Sequence, residues 1–196
     1  MPESEPLTQT EALLVGLRAG SKEAFETIFR EHYAQVFATA YRLLGSASEA
    51  EDAAQEAFLR LYEHPLPAGR DHNLRGWLLR VTTNLAYNAL RSRGRRRLRE
   101  ERASAVRAAA EAESVDQAVS DDSAAAADTA VKVRAVLARL AERQVQLLLL
   151  RQAGLSYAGL AGALGVAPGS IGTLLARAER AFRDLYGELE EMEHDA

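Results

Sequence analysis

Cysteine is absent from this 196-residue chain, which excludes a disulfide framework and any thiolate metal site and points to a reducing compartment. Aromatic residues make up only 6% of the sequence, far from the β-branched and aromatic composition of sheet proteins. Ala, Leu, Arg and Glu are abundant instead, which predicts an all-α protein. No apolar run approaches the roughly 20 residues of a membrane span. Residues 1–10 are acidic and polar rather than signal-like, so the expectation is a cytoplasmic chain with no membrane contact of its own. His32, His64, His72 and His194 show no ligand spacing and belong to no Ser/His/Asp set. A phosphate-cradling glycine loop is also missing. These absences predict a protein that is not an enzyme and needs no cofactor.

What is present is an uneven distribution of charge. The formal net charge is −4, yet residues 65–107 hold eleven basic and three acidic residues. By contrast, residues 1–64 hold five and eleven, and residues 108–130 hold none and six. All eleven basic residues of the central block are arginines, six of them between Arg91 and Arg99 with no acid among them. A solvated structural face normally mixes both signs, so this block predicts a local polyanion site.

Helical periodicity organises the rest. From Ser21, a plausible N-cap, apolar residues recur at Phe25, Ile28, Phe29, Tyr33, Val36, Phe37, Ala40, Tyr41 and Leu44, and Gly45 closes the helix. Ser48 and Glu51 suggest a capping box for a second helix carrying Ala50, Ala54, Ala57, Phe58 and Leu61 inward, ended by Pro65 and Pro67. Asn73 can cap a third, with Leu74, Trp77, Leu78, Val81, Leu85 and Ala89 inside. The stretch 100–130 is rich in Ala, Ser, Glu and Asp and lacks aromatics, which reads as a linker that buries too little to offset its ordering entropy. Beyond it lie four helical patterns: 131–140, 143–152, 156–164 and 170–189.

Residues 156–175 have the layout of a helix-turn-helix. Leu160, Ala161 and Leu164 face inward, Gly165 supplies a left-handed turn, and Val166, Ile171 and Leu174 close a small core. An ordinary helical hairpin is the alternative reading of this segment. In the arginine-rich helix, guanidinium forks can hold phosphates, while Trp77, Asn84 and Tyr87 can stack on or read unpaired bases. The helix 49–62 presents Glu49, Glu51, Asp52, Gln55, Glu56 and Arg60 on its polar side.

Together these segments resemble extracytoplasmic-function (ECF) sigma factors of the sigma-70 family, which are built from two promoter-element domains, region 2 and region 4. Residues 49–62 look like the polymerase-binding helix of region 2, residues 74–91 like its −10 element helix, and residues 155–178 like the region 4 helix-turn-helix that reads the −35 element. The resemblance implies two helical domains, region 2 over 1–100 and region 4 over 131–190, joined by a flexible linker over 101–130. It further implies that Asp52, Gln55, Glu56 and Phe58 meet core RNA polymerase. By the same likeness Arg75, Trp77, Arg80, Asn84, Asn88, Arg91, Arg93, Arg95, Arg96 and Arg97 meet the −10 strand of promoter DNA, and Ser170, Thr173, Arg177 and Arg180 serve region 4. The implied function is promoter selection and melting, with an anti-sigma factor as a further partner.

Departures from the family pattern are visible too. Ile171–Leu175 carries no charge where relatives place Lys and Arg, and Gly159 stands where an acid would complete a capping box with Ser156. Gly159, Gly162 and Gly172 each weaken a helix by about 1 kcal/mol relative to Ala. A sigma-like interaction protein with weakened −35 recognition, and a polymerase-independent helix-turn-helix regulator, are therefore the alternative readings.

Limited proteolysis should cut first within 100–130 and release two helical pieces, because exposed segments with few apolar anchors are nicked preferentially. Resistance throughout that stretch would mean that it is docked.

Overall fold

The structure is a computed structural model and describes residues 7–67, 73–107 and 121–194. Among these there is no strand. Helices α1 (Gln9–Arg18), α2 (Lys22–Leu44), α3 (Ala47–Glu63) and α4 (Leu74–Arg107) form the first half. Helices α5 (Asp121–Arg139), α6 (Glu142–Gln152), α7 (Tyr157–Leu164) and α8 (Ile171–His194) form the second, with a single 3-10 turn at Pro168–Ser170 before α8.

Local chemistry sets most boundaries. Ser21 caps α2, its hydroxyl accepting from Ala24 N at 3.1 Å, and Gly45 ends the helix in the left-handed region at φ 69° while donating to Tyr41 O. Asn73 caps α4 by accepting from Gly76 N at 2.8 Å. The cap of α3 is Ser46 rather than Ser48: its hydroxyl faces Glu49 N, and Ser48 lies inside the first turn. Helix α1, which the periodicity did not reveal, begins with a full capping box in which Thr8 N donates to Glu11 Oε2 at 2.7 Å and Glu11 N returns the bond to Thr8 Oγ1. Helix α4 extends to Arg107 and α5 starts at Asp121, so helix occupies both flanks of the stretch read as a linker. Residues 108–120 lie outside the described residues.

The two halves pack against each other. One buried cluster joins Leu14, Ile28, Phe58 and Leu78 to Leu147, Leu150, Leu160 and Ile171. A second joins Ala40, Leu43, Ala86 and Tyr87 to Leu137, Leu140 and Val145. Helix α4 contributes to both clusters, as do α2, α3 and α6, and it touches α2 and α3 of the first half and α6 and α7 of the second. Its buried set is accordingly wider than one stripe. Leu79, Thr82, Thr83, Ala86, Tyr87 and Leu90 are buried beside Leu74, Leu78 and Val81, whereas Ala89, expected inside, is exposed.

Along α2, Phe25, Phe29, Tyr33, Phe37 and Tyr41 follow one another at intervals of four. Successive ring centroids lie 6.3, 4.8, 6.1 and 6.0 Å apart. Phe58 of α3 packs edge-on to Phe25 and tilted against Phe29, at 6.4 and 4.7 Å.

His32, on the same helix, is held below the ordinary imidazole range by burial, with Arg75 adding to the effect and Glu31 opposing it. The unfolded chain, titrating near about pH 6.5, therefore takes up the proton first. This contribution to stability is complete above that pH and is lost as the pH falls through and below it. Denaturant unfolding at about pH 7.5 and about pH 5.5 should show a larger loss in the parent than in His32→Gln. Equal losses would rule out His32 as the titrating group.

Candidate nucleic-acid interface and partner groove

Two surfaces carry the chemistry expected from the sequence. The first is a groove of about 530 Å³ between α2 and α3, lined by Phe25, Phe29, Asp52, Gln55, Glu56, Phe58, Leu59 and Tyr62. Asp52, Gln55, Glu56 and Leu59 fall three and four residues apart, so the helix puts them on one face. Leu59 and Tyr62 are each 48% exposed, and Glu56 is paired with Arg60 at 2.7 Å. The result is an apolar trough with an acidic lip, suited to an amphipathic helix with basic flanks. Phe58, expected to meet a partner, is only 1% exposed and forms the floor of the trough as part of the core. Phe25, Phe29, Leu59 and Tyr62 were not singled out as site residues in the sequence. The four-residue aromatic spacing along α2 is the signal that could have found the first two.

The second surface is α4. Its far end presents Asn88, Arg91 and Arg95, all exposed, with the Arg91 guanidinium 5.7 Å from the Tyr87 ring centre. Arg95 donates to Ser92 Oγ at 3.2 Å. Arg93 is tied back into its own half, donating to Leu44 O at 2.8 Å and to Glu49 Oε2 at 3.0 Å. The side chains of Arg96 and Arg97 lie outside the described residues.

The near end of α4 is engaged differently. Arg75 donates through Nη2 to Ala153 O at 2.5 Å and through Nε to Gln35 Oε1 at 2.7 Å. Arg80 donates through Nη1 to Ala163 O at 2.9 Å. The side-chain amides of Asn84 and Gln146 meet at 2.5 Å, and Trp77 is half-buried against the main cluster. Four residues expected to face a nucleic acid thus lie in the contact between the two halves.

The helix-turn-helix is formed as expected. Leu160, Ala161 and Ile171 are buried, and Gly165 adopts φ 63° and donates to Ala161 O. Ser156 caps α7 by accepting from Gly159 N at 3.1 Å; with glycine at that third position the reciprocal half of a capping box is missing. On α8, Thr173, Arg177 and Arg180 are exposed. Ser170 sits in the preceding turn and donates to Ala167 O at 2.7 Å. Among the described residues no group of His, Asp or Glu could hold a metal ion, and no single helix is long and apolar enough to cross a membrane.

Residues 28–96 match the Sigma-70 region 2 family and residues 130–182 match the Sigma-70, region 4 family. The chain is 32% identical to the ECF RNA polymerase sigma factor SigE of Mycolicibacterium smegmatis over 82% of its own length and 61% of that relative's. It is 30% identical to the ECF RNA polymerase sigma factor SigL of Mycobacterium tuberculosis over 91% of its own length and 97% of the relative's. Its fold is similar to that of CnrH solved in complex with the cytosolic domain of CnrY, with a TM-score of 0.60, 17% identity, and coverage of 92% of this chain and 99% of that one. Two regional matches spanning more than half the sequence, in the order set by α3, α4 and the α7–α8 helix-turn-helix, place this chain in the sigma-70 family as an ECF sigma factor.

Proposed function

We propose that the chain is the promoter-selecting subunit of RNA polymerase: it carries the core enzyme to specific promoters and helps to melt them, without catalytic chemistry of its own. The observation that carries this reading is a partner trough on α3, an arginine-rich α4 and a helix-turn-helix on α7–α8 combined in one chain. Such a subunit works where polymerase and chromosome are, in the cytoplasm. Region 2 spans residues 1–100 and region 4 spans 131–190, with the segment between them as tether. The acidic lip formed by Asp52, Gln55 and Glu56, over the Phe58 floor, receives a basic amphipathic helix of core polymerase. A regulator of the anti-sigma kind, as NepR is in its complex with the sigma factor RpoE of Bartonella quintana, would compete for the same trough.

On α4, Arg75, Arg80, Asn84, Asn88, Arg91 and the arginines 93 and 95–97 meet the −10 strand. Their forks bind its phosphates, while Trp77 stacks against an unpaired base for about 1–3 kcal/mol. Preference for single over paired strands is what shifts a promoter toward its open form. Region 4 contacts the −35 element through Ser170, Thr173, Arg177 and Arg180, with less charge than α4 brings. The test of the whole reading is run-off transcription by core polymerase with and without the chain, with 5′ ends sequenced. A transcript set that does not change overturns it.

Two finer outcomes are expected. Asp52→Arg combined with Glu56→Arg should abolish core polymerase binding while circular dichroism stays unchanged, because both carboxylates lie outside the core. Unaltered affinity in the folded double variant would remove the trough from the interface. In the polymerase complex, Arg95→Ala, Arg96→Ala and Arg97→Ala together should flatten the dependence of log promoter affinity on log salt by about two to three units. Arg177→Ala with Arg180→Ala should flatten it less. A larger loss of slope in the second variant would assign the anchoring of DNA to region 4.

A further inference from the structure

Three helices of region 4 end on side chains of α4. Tyr87 donates to Leu140 O at 2.7 Å, just past α5. Arg75 donates to Ala153 O, the C-cap of α6. Arg80 donates to Ala163 O in the last turn of α7. Carbonyls at these positions have no partner within their own helix and carry the negative end of its dipole. To a guanidinium each presents part of what a phosphate presents, a partly negative oxygen.

The fit is close in one respect and incomplete in another. A Cβ at Gly159 would stand 3.3 Å from Asn73 Nδ2, so glycine lets α7 approach the N-terminus of α4. Gly162 and Ala163 roof a small cavity of about 100 Å³ whose other walls include Asn73, Trp77 and Arg80. Yet Arg80 Nε is buried without a hydrogen-bond acceptor. One carbonyl takes part of the fork where a phosphate would take more of it.

We propose that this packing is a resting latch in which the helix C-termini of region 4 occupy Arg75 and Arg80 in place of DNA phosphates. Single-stranded DNA must displace region 4 before it can engage the near end of α4. The proposal rests on the assignment of α4 to the −10 strand. Closure and DNA are then competitors for the same donors, and each weakens the other by the same factor. If one chain in ten is open, the apparent affinity for a strand is about tenfold below that of the open form.

Because the sequence has no cysteine, spin labels can be placed on the full chain at Glu26→Cys and Glu179→Cys, both exposed, and the separation of the halves read by pulsed electron paramagnetic resonance. An opening variant, Gln35→Ala with Gly159→Glu, alters no residue assigned to DNA. Gln35 Nε2 donates to Ala153 O at 2.9 Å and its Oε1 holds Arg75. A glutamate at 159 would on its own strengthen α7 by completing the capping box with Ser156, so a purely local role for Gly159 predicts no opening. The probe is a fluorescein-labelled single strand of mixed sequence, about 20 nucleotides long.

The parent should show a short separation that lengthens as the oligonucleotide is added. The variant should show the longer separation without DNA and bind the oligonucleotide about five- to tenfold more tightly. Short separations that persist in the parent at saturating oligonucleotide, or identical distributions in parent and variant, overturn the latch. An opened variant that binds no more tightly than the parent overturns the competition. Adding Arg75→Ala and Arg80→Ala to the opened variant tells whether the underlying assignment has failed as well: unchanged binding there removes the near end of α4 from the DNA interface.

Discussion

A helix leaves its last carbonyls without partners, and in this chain four helices resolve that need on the side chains of a fifth. Arg93 reaches the end of α2 at Leu44 O, Tyr87 the end of α5, Arg75 that of α6 and Arg80 that of α7. Hydrogen bonds of this kind contribute about 0.5–1.5 kcal/mol when neutral and about 1.5–3 kcal/mol when one group is charged. Their larger effect is geometric. Four helix ends are referred to one axis, and α4 must therefore be apolar on the two sides that those helices cover. The glycines after α2 and α7 complete the arrangement by turning the chain away in the left-handed region, Gly45 at φ 69° and Gly165 at φ 63°.

Much of this was legible in the sequence wherever the determining chemistry is local. Ser21, Asn73, Ser156 and Gly165 cap or end helices because a short side chain or a missing Cβ acts on backbone atoms within four residues. The cap of α3 shows the limit of that logic. Ser46 and Ser48 are chemically alike and each has a glutamate three residues on, Glu49 and Glu51, so the local pattern does not choose between them, and Ser46 holds the cap. The partner trough was half legible: its acidic lip follows from the spacing of Asp52 and Glu56, but its aromatic wall belongs to another helix. The contact between the halves was not legible. Its acceptors are main-chain carbonyls, which leave no trace in residue identity, and its donors are arginines whose composition points to phosphate. Arg75 and Ala153 lie 78 positions apart, beyond any pattern of short period.

The aromatic row of α2 joins the two surfaces. A step of four residues turns about 40° beyond a full helical revolution, so four such steps wind from the trough to the opposite flank. Phe25 and Phe29 line the trough, while Tyr41 borders α5 in a cavity shared with Val133, Arg134 and Leu137. The rings stack from Phe29 to Tyr41, and Phe25 tilts against Phe29; close-packed interiors accept small displacements poorly. A partner seated in the trough would touch α2, the same helix that meets α5 at its other end.

Gly159 gives this arrangement an evolutionary dimension. For α7 in isolation almost any residue is better than glycine, since glycine forfeits helix propensity and half of a capping box. For the packed chain a side chain at 159 crowds Asn73. Selection at this one codon therefore weighs two states of the same molecule against each other. Drift toward Glu or Ala in a lineage would record relaxed demand for a closed resting form, and retention of Gly would record its upkeep.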